Sequence, residues 1–182
     1  MAQSGALLPW RNLRGPVGLS TFVSVGNATQ PFQRLLDGVA SIASRLPQPV
    51  VVQYGCGRFD VPGCQALRLL PMAEFERLVA TSELLILHAG AGSVIHALRA
   101  GKVPVVMPRR AKFKELVDDH QFEFAEALSQ AGRVVVVHEA ARMWEAIRCA
   151  LSLQRKVRGD MRAPELLRLV GDRLKHYAES VR

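Results

Sequence analysis

Between His88 and Ser93 the sequence reads HAGAGS, and this short segment holds the residue types best suited to binding an anion. Glycine at positions 90 and 92 leaves no Cβ between the backbone and a ligand. Ser93 is predicted to cap the helix that follows, where unpaired N–H groups and the helix dipole attract negative charge. We expect a phosphate or diphosphate to bind at this turn, with His88 and His96 on either side of it.

The segments around the turn predict one strand–loop–helix–strand unit. Residues 84–87 form an apolar run that is too short for a helix and long enough for a buried strand. The predicted helix ends at Gly101, and residues 103–107 form the next strand before Pro108. Because a crossover of this length joins parallel strands, the glycine-rich turn is expected at the carboxyl edge of a sheet.

The glycine spacing leaves several interpretations open. A dinucleotide fingerprint has a third glycine where this chain has Ile95, and an acid about twenty residues after the motif. A 2′-phosphate would tolerate bases in that later region, so an NADP-binding oxidoreductase stays an alternative. A non-catalytic nucleotide-binding partner protein is another, and so is a tight turn without any ligand. The bases in the later region are Arg109, Arg110, Lys112 and Lys114.

Predicted strands and helices alternate along the chain, which indicates an α/β fold with a doubly wound, Rossmann-like parallel sheet. In such a sheet, ligands bind outside the carboxyl ends of the strands, near the point where the strand order reverses. The predicted strands are residues 21–25, 50–54, 66–69, 84–87, 103–107 and 134–137. The predicted helices are residues 31–45, 72–81, 93–101, 118–130, 140–153 and 164–180.

Three further loops are expected at the same edge of the sheet. One presents Asn27 and Thr29 beside Gly26, and a second offers the backbone of Leu70. Each polar residue also has a purely structural interpretation, since Asn27 and Thr29 can cap a helix. The aspartates of the third loop can balance a helix dipole, and His96 can be a partly buried core histidine. The third loop contains Arg109, Asp118, Asp119, His120 and Gln121.

The composition indicates one domain of ordinary size. The chain has 182 residues, of which 49% are hydrophobic, enough to form a core. Cys56, Cys64 and Cys149 are odd in number and lack a C-x-x-C spacing, so we expect reduced thiols in the cytosol and no metal site. No apolar run approaches the roughly 18 residues that span a bilayer, and the N-terminal apolar patch is too short for a signal peptide.

The net charge of +8 is concentrated at the two ends of the chain. Residues 1–20 carry two arginines and no acid, and residues 155–182 carry eight bases against four acids. We predict a flexible segment over residues 1–19, a nucleotide-binding domain over 20–154 and a basic amphipathic helix over 155–182. The basic ends suit an anionic membrane surface or an acidic partner, although a solvated helix face explains them equally well. No nucleic-acid motif accompanies them.

Several of these segments together resemble the glycosyltransferases of family 28. The sequence VSVG at residues 23–26, followed by Pro31 and Phe32, is similar to the opening of bacterial exopolysaccharide glycosyltransferase subunits. HAGAGS resembles their donor loop, and DHQ at residues 119–121 resembles their second signature. The eukaryotic catalytic subunit that transfers N-acetylglucosamine to dolichol-pyrophosphate sugars has the same pattern, and the peptidoglycan lipid-intermediate N-acetylglucosaminyltransferase is a more distant relative. The resemblance covers residues 21–150 and implies the donor-binding half of a two-domain, GT-B enzyme.

The resemblance assigns roles to single residues. In that family the glycine loop and its helix hold the diphosphate of a UDP-sugar, and a backbone segment, here near Leu70, reads the uracil. An acid on the helix usually holds the ribose; here His96 takes that position and offers one acceptor instead of two carboxylate oxygens. His88 and His120 are the candidates for catalysis. The implied donor-binding set is Gly26, Asn27, Thr29, Leu70, His88, Gly90, Ala91, Gly92, Ser93, His96, Arg109, His120 and Gln121.

The resemblance also implies that a second chain completes the enzyme. Sugar transfer from UDP needs charge stabilisation at the departing diphosphate, a base for the acceptor hydroxyl and exclusion of water. In the resembling families, a membrane-anchored subunit holds the lipid-linked sugar acceptor. We expect a catalytic subunit that elongates a lipid-pyrophosphate-linked sugar in polysaccharide biosynthesis, at the cytoplasmic face of the membrane. The UDP-sugar is its substrate, and we expect no cofactor, metal ion or nucleic acid.

Overall fold

The computed structural model describes residues 20–157, which form a six-stranded parallel sheet with helices on both faces. The strands are β1 (Thr21–Ser24), β2 (Val50–Gln53), β3 (Cys64–Leu67), β4 (Leu84–His88), β5 (Val105–Met107) and β6 (Val135–Val136). The helices are α1 (Gln33–Ala40), α2 (Met72–Thr81), α3 (Ala91–Arg99), α4 (His120–Gln130) and α5 (Met143–Val157). The predicted flexible segment 1–19 and the predicted helix 164–180 lie outside the described residues.

The strand order is β3-β2-β1-β4-β5-β6, and every pairing is parallel. The crossovers from β1 proceed toward one edge of the sheet, and those from β4 proceed toward the other. The order therefore reverses at the adjacent strands β1 and β4, as expected of a doubly wound sheet. The predicted fold class is confirmed.

The two faces of the sheet carry separate apolar cores because side chains alternate along each strand. Leu84 and Ile86 pack with α1 and α5 on one face, and Leu85 and Leu87 pack with α2, α3 and α4 on the other. All four are at most 1% exposed. Because β4 is buried on both faces of the sheet, its sequence is a continuous apolar run and does not alternate between apolar and polar residues.

The start of α3 differs from the prediction. The helix begins at Ala91 with Gly90 at the N-cap, so Ser93 lies inside the first turn and the predicted serine cap is wrong. The carbonyl of Gly90 accepts the first helical hydrogen bond, from the N–H of Val94 at 3.1 Å. Glycine is a favourable N-cap residue, so the helix can begin two residues earlier. The predicted end is confirmed, because Gly101 has a left-handed φ of 70°.

Two other predicted helices are interrupted. The helix predicted over 31–45 is α1 followed by a 3-10 turn at Ala43–Arg45. Between them the Ser41 hydroxyl donates to the carbonyl of Gly38 at 2.8 Å, a bond that competes with regular helix geometry. The helix predicted over 140–153 begins as a 3-10 turn at Ala140–Arg142 and continues as α5 to Val157. Residues 155–157 of the predicted basic segment therefore lie on α5.

Within residues 20–157, each helix falls short of the length and hydropathy needed to cross a lipid bilayer.

Candidate functional site

A cavity of about 370 Å³ opens at the carboxyl ends of β1 and β4, where the strand order reverses. Three of the four loops expected at this edge contribute to it, together with the end of β2 and the start of α2. The described residues that line it include no acidic side chain, which suits an anionic ligand. The lining residues are Ser24, Gly26, Asn27, Gln53, Leu70, Met72, Phe75, His88, Gly90, Gly92, Ser93 and His96.

The first turn of α3 forms one wall of this cavity. The N–H groups of Ala91, Gly92 and Ser93 precede the first intrahelical bond and have no carbonyl partner within the helix. A Cβ added at Gly92 would meet no heavy atom within 4 Å, so the space in front of this backbone is open. The helix dipole and the three N–H groups can thus hold a phosphate group against the turn.

Two other glycines make room for His88. A Cβ at Gly26 would lie 2.5 Å from Cε1 of the His88 ring, and one at Gly90 would collide with Nε2 of the same ring. Gly26 also has a φ of 76°, in the region that favours glycine. The expectation that Gly90 leaves room for a ligand is therefore corrected, because the imidazole of His88 occupies the space beside it.

The His88 ring is held in its neutral form. Desolvation by burial, and then the positive charge of nearby Arg109, lower the pKa of His88 to about 4, against the weaker opposing effect of the Ser24 backbone. Its Nδ1 is buried and has no hydrogen-bond partner among the described residues. At neutral pH this side chain can therefore donate or accept one hydrogen bond without adding a charge to the cavity.

A chain of polar side chains joins β1, β2 and the first loop. The Ser24 hydroxyl donates to Oε1 of Gln53 at 2.6 Å, and Nε2 of Gln53 donates to Oδ1 of Asn27 at 2.8 Å. Asn27 is oriented toward β2, and neither it nor Thr29 caps α1, whose N-cap residue is Phe32. Gln53 was missed by the sequence interpretation. Its one signal is a polar residue ending an otherwise apolar strand.

The sequence left His96 open as a ligand-binding residue or as a partly buried core histidine, and the structure shows features of both. It lines the cavity with 29% of its side chain exposed, and its ring lies edge-on to Phe75, with centroids 6.0 Å apart. Its Nδ1 is 3.5 Å from the carboxylate of Glu76 on α2. A carboxylate thus stands behind the imidazole, supplied by a different helix, and no sequence pattern linked the two residues.

Arg109 lies near His88 and does not line the cavity. The residue is 1% exposed, and its guanidinium donates to the carbonyls of Gln30, Glu115 and Val25 at 2.8 to 3.0 Å. Burial lowers the pKa of Arg109 from its usual value, against the opposing effect of Glu115. Arg109 therefore has a structural role. It does not contact the cavity, and its positive charge acts there only through longer-range electrostatics.

The remaining predicted site residues also lie off the cavity lining. Gln121 is 6% exposed, and its Oε1 accepts a hydrogen bond from the backbone N–H of Arg109 at 3.2 Å. His120 contacts the carboxylate of Asp118 through Nδ1. Thr29 is exposed, and its hydroxyl donates to the side chain of the adjacent Gln30. Ala91 contributes its place in the first turn of α3 and does not line the cavity itself.

Asp119 does more than balance the dipole of α4. Its carboxylate accepts the N–H of Ala111 at 2.9 Å and Nε of Arg110 at 3.1 Å, and these bonds lower its pKa. The residue therefore organises the loop before α4. In the described part of the chain, no cluster of three or more His, Cys, Asp and Glu residues could hold a metal ion.

A second cavity of about 390 Å³ lies between β6 and α5, with Val137, His138, Arg142 and Cys149 among its lining residues. It shares no lining residue with the glycine-rich turn, and the helix start that it meets, that of α5, carries Glu145 in its first turn. Two acids, Glu139 and Glu145, line it as well, so it suits an anion less well than the first cavity.

Comparison with known proteins finds curated relatives of one kind. The chain is 46% identical over 65 residues to the UDP-N-acetylglucosamine transferase subunit ALG13 of Cryptococcus neoformans, covering 35% of this chain and 30% of that protein. It is 43% identical over 58 residues to the protein of the same name from Yarrowia lipolytica, covering 32% and 28%. The matched segments therefore span less than a third of these relatives.

Solved structures share the fold at low sequence identity. The chain resembles the glycotransferase of kitacinnamycin with a TM-score of 0.61 and 17% identity, covering 86% of this chain and 40% of that one. It resembles the calicheamicin glycosyltransferase CalG4 with a TM-score of 0.58 and 20% identity, covering 89% and 42%. It resembles MurG of Acinetobacter baumannii with a TM-score of 0.54 and 18% identity, covering 91% and 52%.

The family model covers all of the described residues. The model of the glycosyltransferase family 28 C-terminal domain matches residues 20–161, from the start of β1 to just beyond the end of α5. The parallel sheet, the reversal at β1 and β4 and the cavity at the start of α3 all fall inside the match. Sequence, topology and site position agree, and this chain belongs to the glycosyltransferase family 28 C-terminal domain family.

Proposed function

We propose that this chain is the donor-binding, catalytic subunit of a split UDP-sugar glycosyltransferase that elongates a lipid-pyrophosphate-linked sugar in polysaccharide biosynthesis. The observation that carries the proposal is the open, acid-free cavity at the N-terminus of α3 in a family 28 domain. This arrangement suits a diphosphate ligand. Neither an NADP-binding oxidoreductase nor a non-catalytic nucleotide-binding protein gains support from the family match.

The donor is proposed to lie across the cavity from α2 to the first loop. Its diphosphate would accept hydrogen bonds from the N–H groups of the first α3 turn and from the Ser93 hydroxyl. Its uracil would contact the backbone at Leu70, and its ribose would lie against His96, both of which line the cavity. The sugar would face Asn27, and His120 at the start of α4 is the residue proposed to approach it, since Gln121 is buried against the backbone of Arg109.

The chemistry proposed for this chain is stabilisation of the departing UDP. Negative charge grows on the diphosphate as the glycosidic bond to it breaks, and oriented N–H groups at a helix start stabilise such charge without reorganising. The buried charge of Arg109, which acts on the adjacent His88, adds a positive field. His88 is a candidate for orienting the donor as a neutral hydrogen-bonding group, and the base for the acceptor belongs to His120 or to a partner chain.

A membrane-anchored partner is proposed to hold the lipid-linked acceptor at the cytoplasmic face of the membrane. Support comes from the partial matches to proteins named as a transferase subunit. It also comes from the site itself, since a donor cavity open at the sheet edge needs a second surface to position an acceptor and exclude water. We expect no cofactor or metal ion in this arrangement.

Calorimetric titration of the purified chain with UDP and, in parallel, with NADPH tests the proposed class of ligand. The proposal predicts binding of UDP, weaker binding of UMP because it lacks one phosphate, and no binding of NADPH. Binding of NADPH with no response to UDP would overturn the proposal in favour of an oxidoreductase.

A further inference from the structure

The loop between β5 and α4 exposes apolar side chains near the carboxyl edge of the sheet. The described residues include four exposed large apolar side chains, and two of these, Phe113 at 51% and Val117 at 85%, lie on this loop. The other two, Leu69 and Met72, lie between β3 and the start of α2. Single exposed apolar residues are ordinary, so the chemistry around the pair decides its meaning.

Two exposed lysines flank Phe113. Nζ of Lys112 lies 4.8 Å from the centroid of the Phe113 ring, and Lys114 follows directly. Among the described residues, no carboxylate lies within ion-pair distance of either lysine. Of the acids on the loop, Asp119 pairs with Arg110, Glu115 is buried and Asp118 contacts His120, although Asp119 also feels the charge of Lys112. The loop tip therefore presents positive charge beside apolar surface.

The tip is held in one conformation from below. The Glu115 carboxylate accepts Nε of Arg34 at 3.1 Å, the terminal nitrogen of Arg34 at 2.7 Å and the N–H of Arg110 at 3.0 Å. The same Arg34 guanidinium lies 5.0 Å from the Phe113 ring centroid. Lys114 has a φ of 56°, which turns the chain sharply after Ala111–Phe113. Because Glu115 and the backbone bonds of the 3-10 turn constrain residues 110–115, docking would cost less conformational entropy than ordering a free loop.

We propose that residues 112–117 form a docking site for an anionic lipid surface. Phe113 and Val117 can enter the boundary between headgroups and acyl chains, while the two lysines extend their apolar stems and place their charges among the phosphates. An acidic protein surface would satisfy the lysines and leave the most exposed apolar side chain, Val117, without a matching environment. The loop leaves the same sheet edge as the cavity, so docking would bring that edge toward the bilayer.

Flotation of the full chain with lipid vesicles tests this surface without reference to any nucleotide. The vesicles contain phosphatidylcholine alone or phosphatidylcholine with phosphatidylserine. One variant, Phe113→Ser with Val117→Ser, removes the apolar tip. A second variant, Lys112→Gln with Lys114→Asn, removes both charges. Asparagine is chosen at position 114 because it tolerates the left-handed backbone there. The matched control, Arg99→Gln with Arg148→Gln, makes the same change in net charge at exposed helix positions.

We expect the unchanged chain to float with phosphatidylserine vesicles and not with neutral ones, and added salt to weaken the binding. Both loop variants should bind about tenfold more weakly, and the control should bind as the unchanged chain does, since the charges act only close to the surface. The proposal would be overturned if the control lost as much vesicle binding as the loop variants, or if the unchanged chain bound neutral vesicles. It would also be overturned if the loop variants bound phosphatidylserine vesicles normally. The last outcome would favour a protein partner at this loop. Unchanged melting curves verify that the variants are folded.

Discussion

At the scale of single residues, the neutral state of His88 makes the stability of the fold depend on pH. Its pKa in the folded chain is about 4, below the usual value of 6.5, so the unfolded chain takes up the proton first as the pH falls. The stabilisation from this residue is complete above pH 6.5 and is lost between pH 6.5 and 4. The total loss is about 3 kcal/mol.

The free energy of unfolding, measured by denaturant titration across that pH range, tests this prediction. The variant His88→Asn removes the titrating group and should show a smaller fall between pH 6.5 and 4, although its stability at neutral pH is expected to be lower. Parallel pH curves for the two proteins would mean that His88 is not desolvated as described.

A second residue-scale prediction concerns His96. Its Nδ1 lies 3.5 Å from Glu76, so His96→Glu alone would place two carboxylates together. The double variant His96→Glu with Glu76→Gln removes that repulsion and gives the ribose hydroxyls a carboxylate with two acceptor oxygens. We expect it to keep or improve UDP affinity at neutral pH, and the single variant to bind more weakly than the double.

Calorimetry with UDP and 2′-deoxy-UDP measures this directly, because a ribose contact distinguishes the two ligands. Glu76→Gln alone is the control for the loss of the Glu76 carboxylate. A double variant whose melting temperature falls sharply, without any gain in UDP affinity, would assign His96 to core packing.

At the scale of elements, Arg109 connects the loop after β1 to the loop before α4. Its guanidinium is bonded to carbonyls of Val25, Gln30 and Glu115, all of which would lose their donor in Arg109→Met. Because unpaired buried acceptors cost about 1–3 kcal/mol each, we expect a loss of about 3 kcal/mol or more in unfolding free energy. Chemical denaturation of the variant measures it.

The neighbouring substitution Arg110→Met is the matched control for the Arg109 prediction. Arg110 pairs with Asp119 near the surface, with side chains 23% and 44% exposed, so its loss should cost no more than about 1 kcal/mol. Similar losses in the two variants would show that the three carbonyls find other partners.

The order of the strands and helices was predictable from the sequence. The residues at which they begin and end were less predictable. Apolar runs such as residues 84–87 indicate buried parallel strands without any tertiary information. The start of α3 was placed at Ser93 because serine is a common cap, but Gly90 takes that role. The break after α1 depends on a bond between Ser41 and Gly38, which competes with the helix only through local geometry that a periodicity argument does not include.

The candidate site was partly predictable for the same reason. Sequence identified the glycine turn and the first loop, since each follows a predicted strand. Three contacts at the site join segments that are distant in sequence. They are the bond from Arg109 to Val25, the bond from Gln53 to Asn27 and the contact of Glu76 with His96. Spacing along one segment carries no information about such pairs, so they required the structure.

At the scale of the whole molecule, we expect that this chain alone does not transfer sugar. The donor cavity is open at the sheet edge, so a bound donor would lack a positioned acceptor and protection from water. Radiolabelled UDP-sugar and a lipid-pyrophosphate-linked acceptor should give product only when a membrane-anchored partner is added. Robust transfer by the purified chain alone would refute the split-enzyme proposal while leaving donor binding intact.

Binding of the donor diphosphate at the first turn of α3 is tested most directly by the substitution Gly92→Asp. The added side chain has open space in front of it, and a carboxylate near a helix N-terminus stabilises the helix, so the fold should persist. Gly92→Asn has nearly the same size without the charge and serves as the control.

Calorimetry with UDP on the three proteins is the decisive measurement. We expect Gly92→Asp to lose about 100-fold or more in affinity, roughly 3 kcal/mol, because its carboxylate would lie beside the diphosphate. Gly92→Asn should lose much less. A folded Gly92→Asp protein that binds UDP as tightly as the unchanged chain would show that the diphosphate does not bind at this turn.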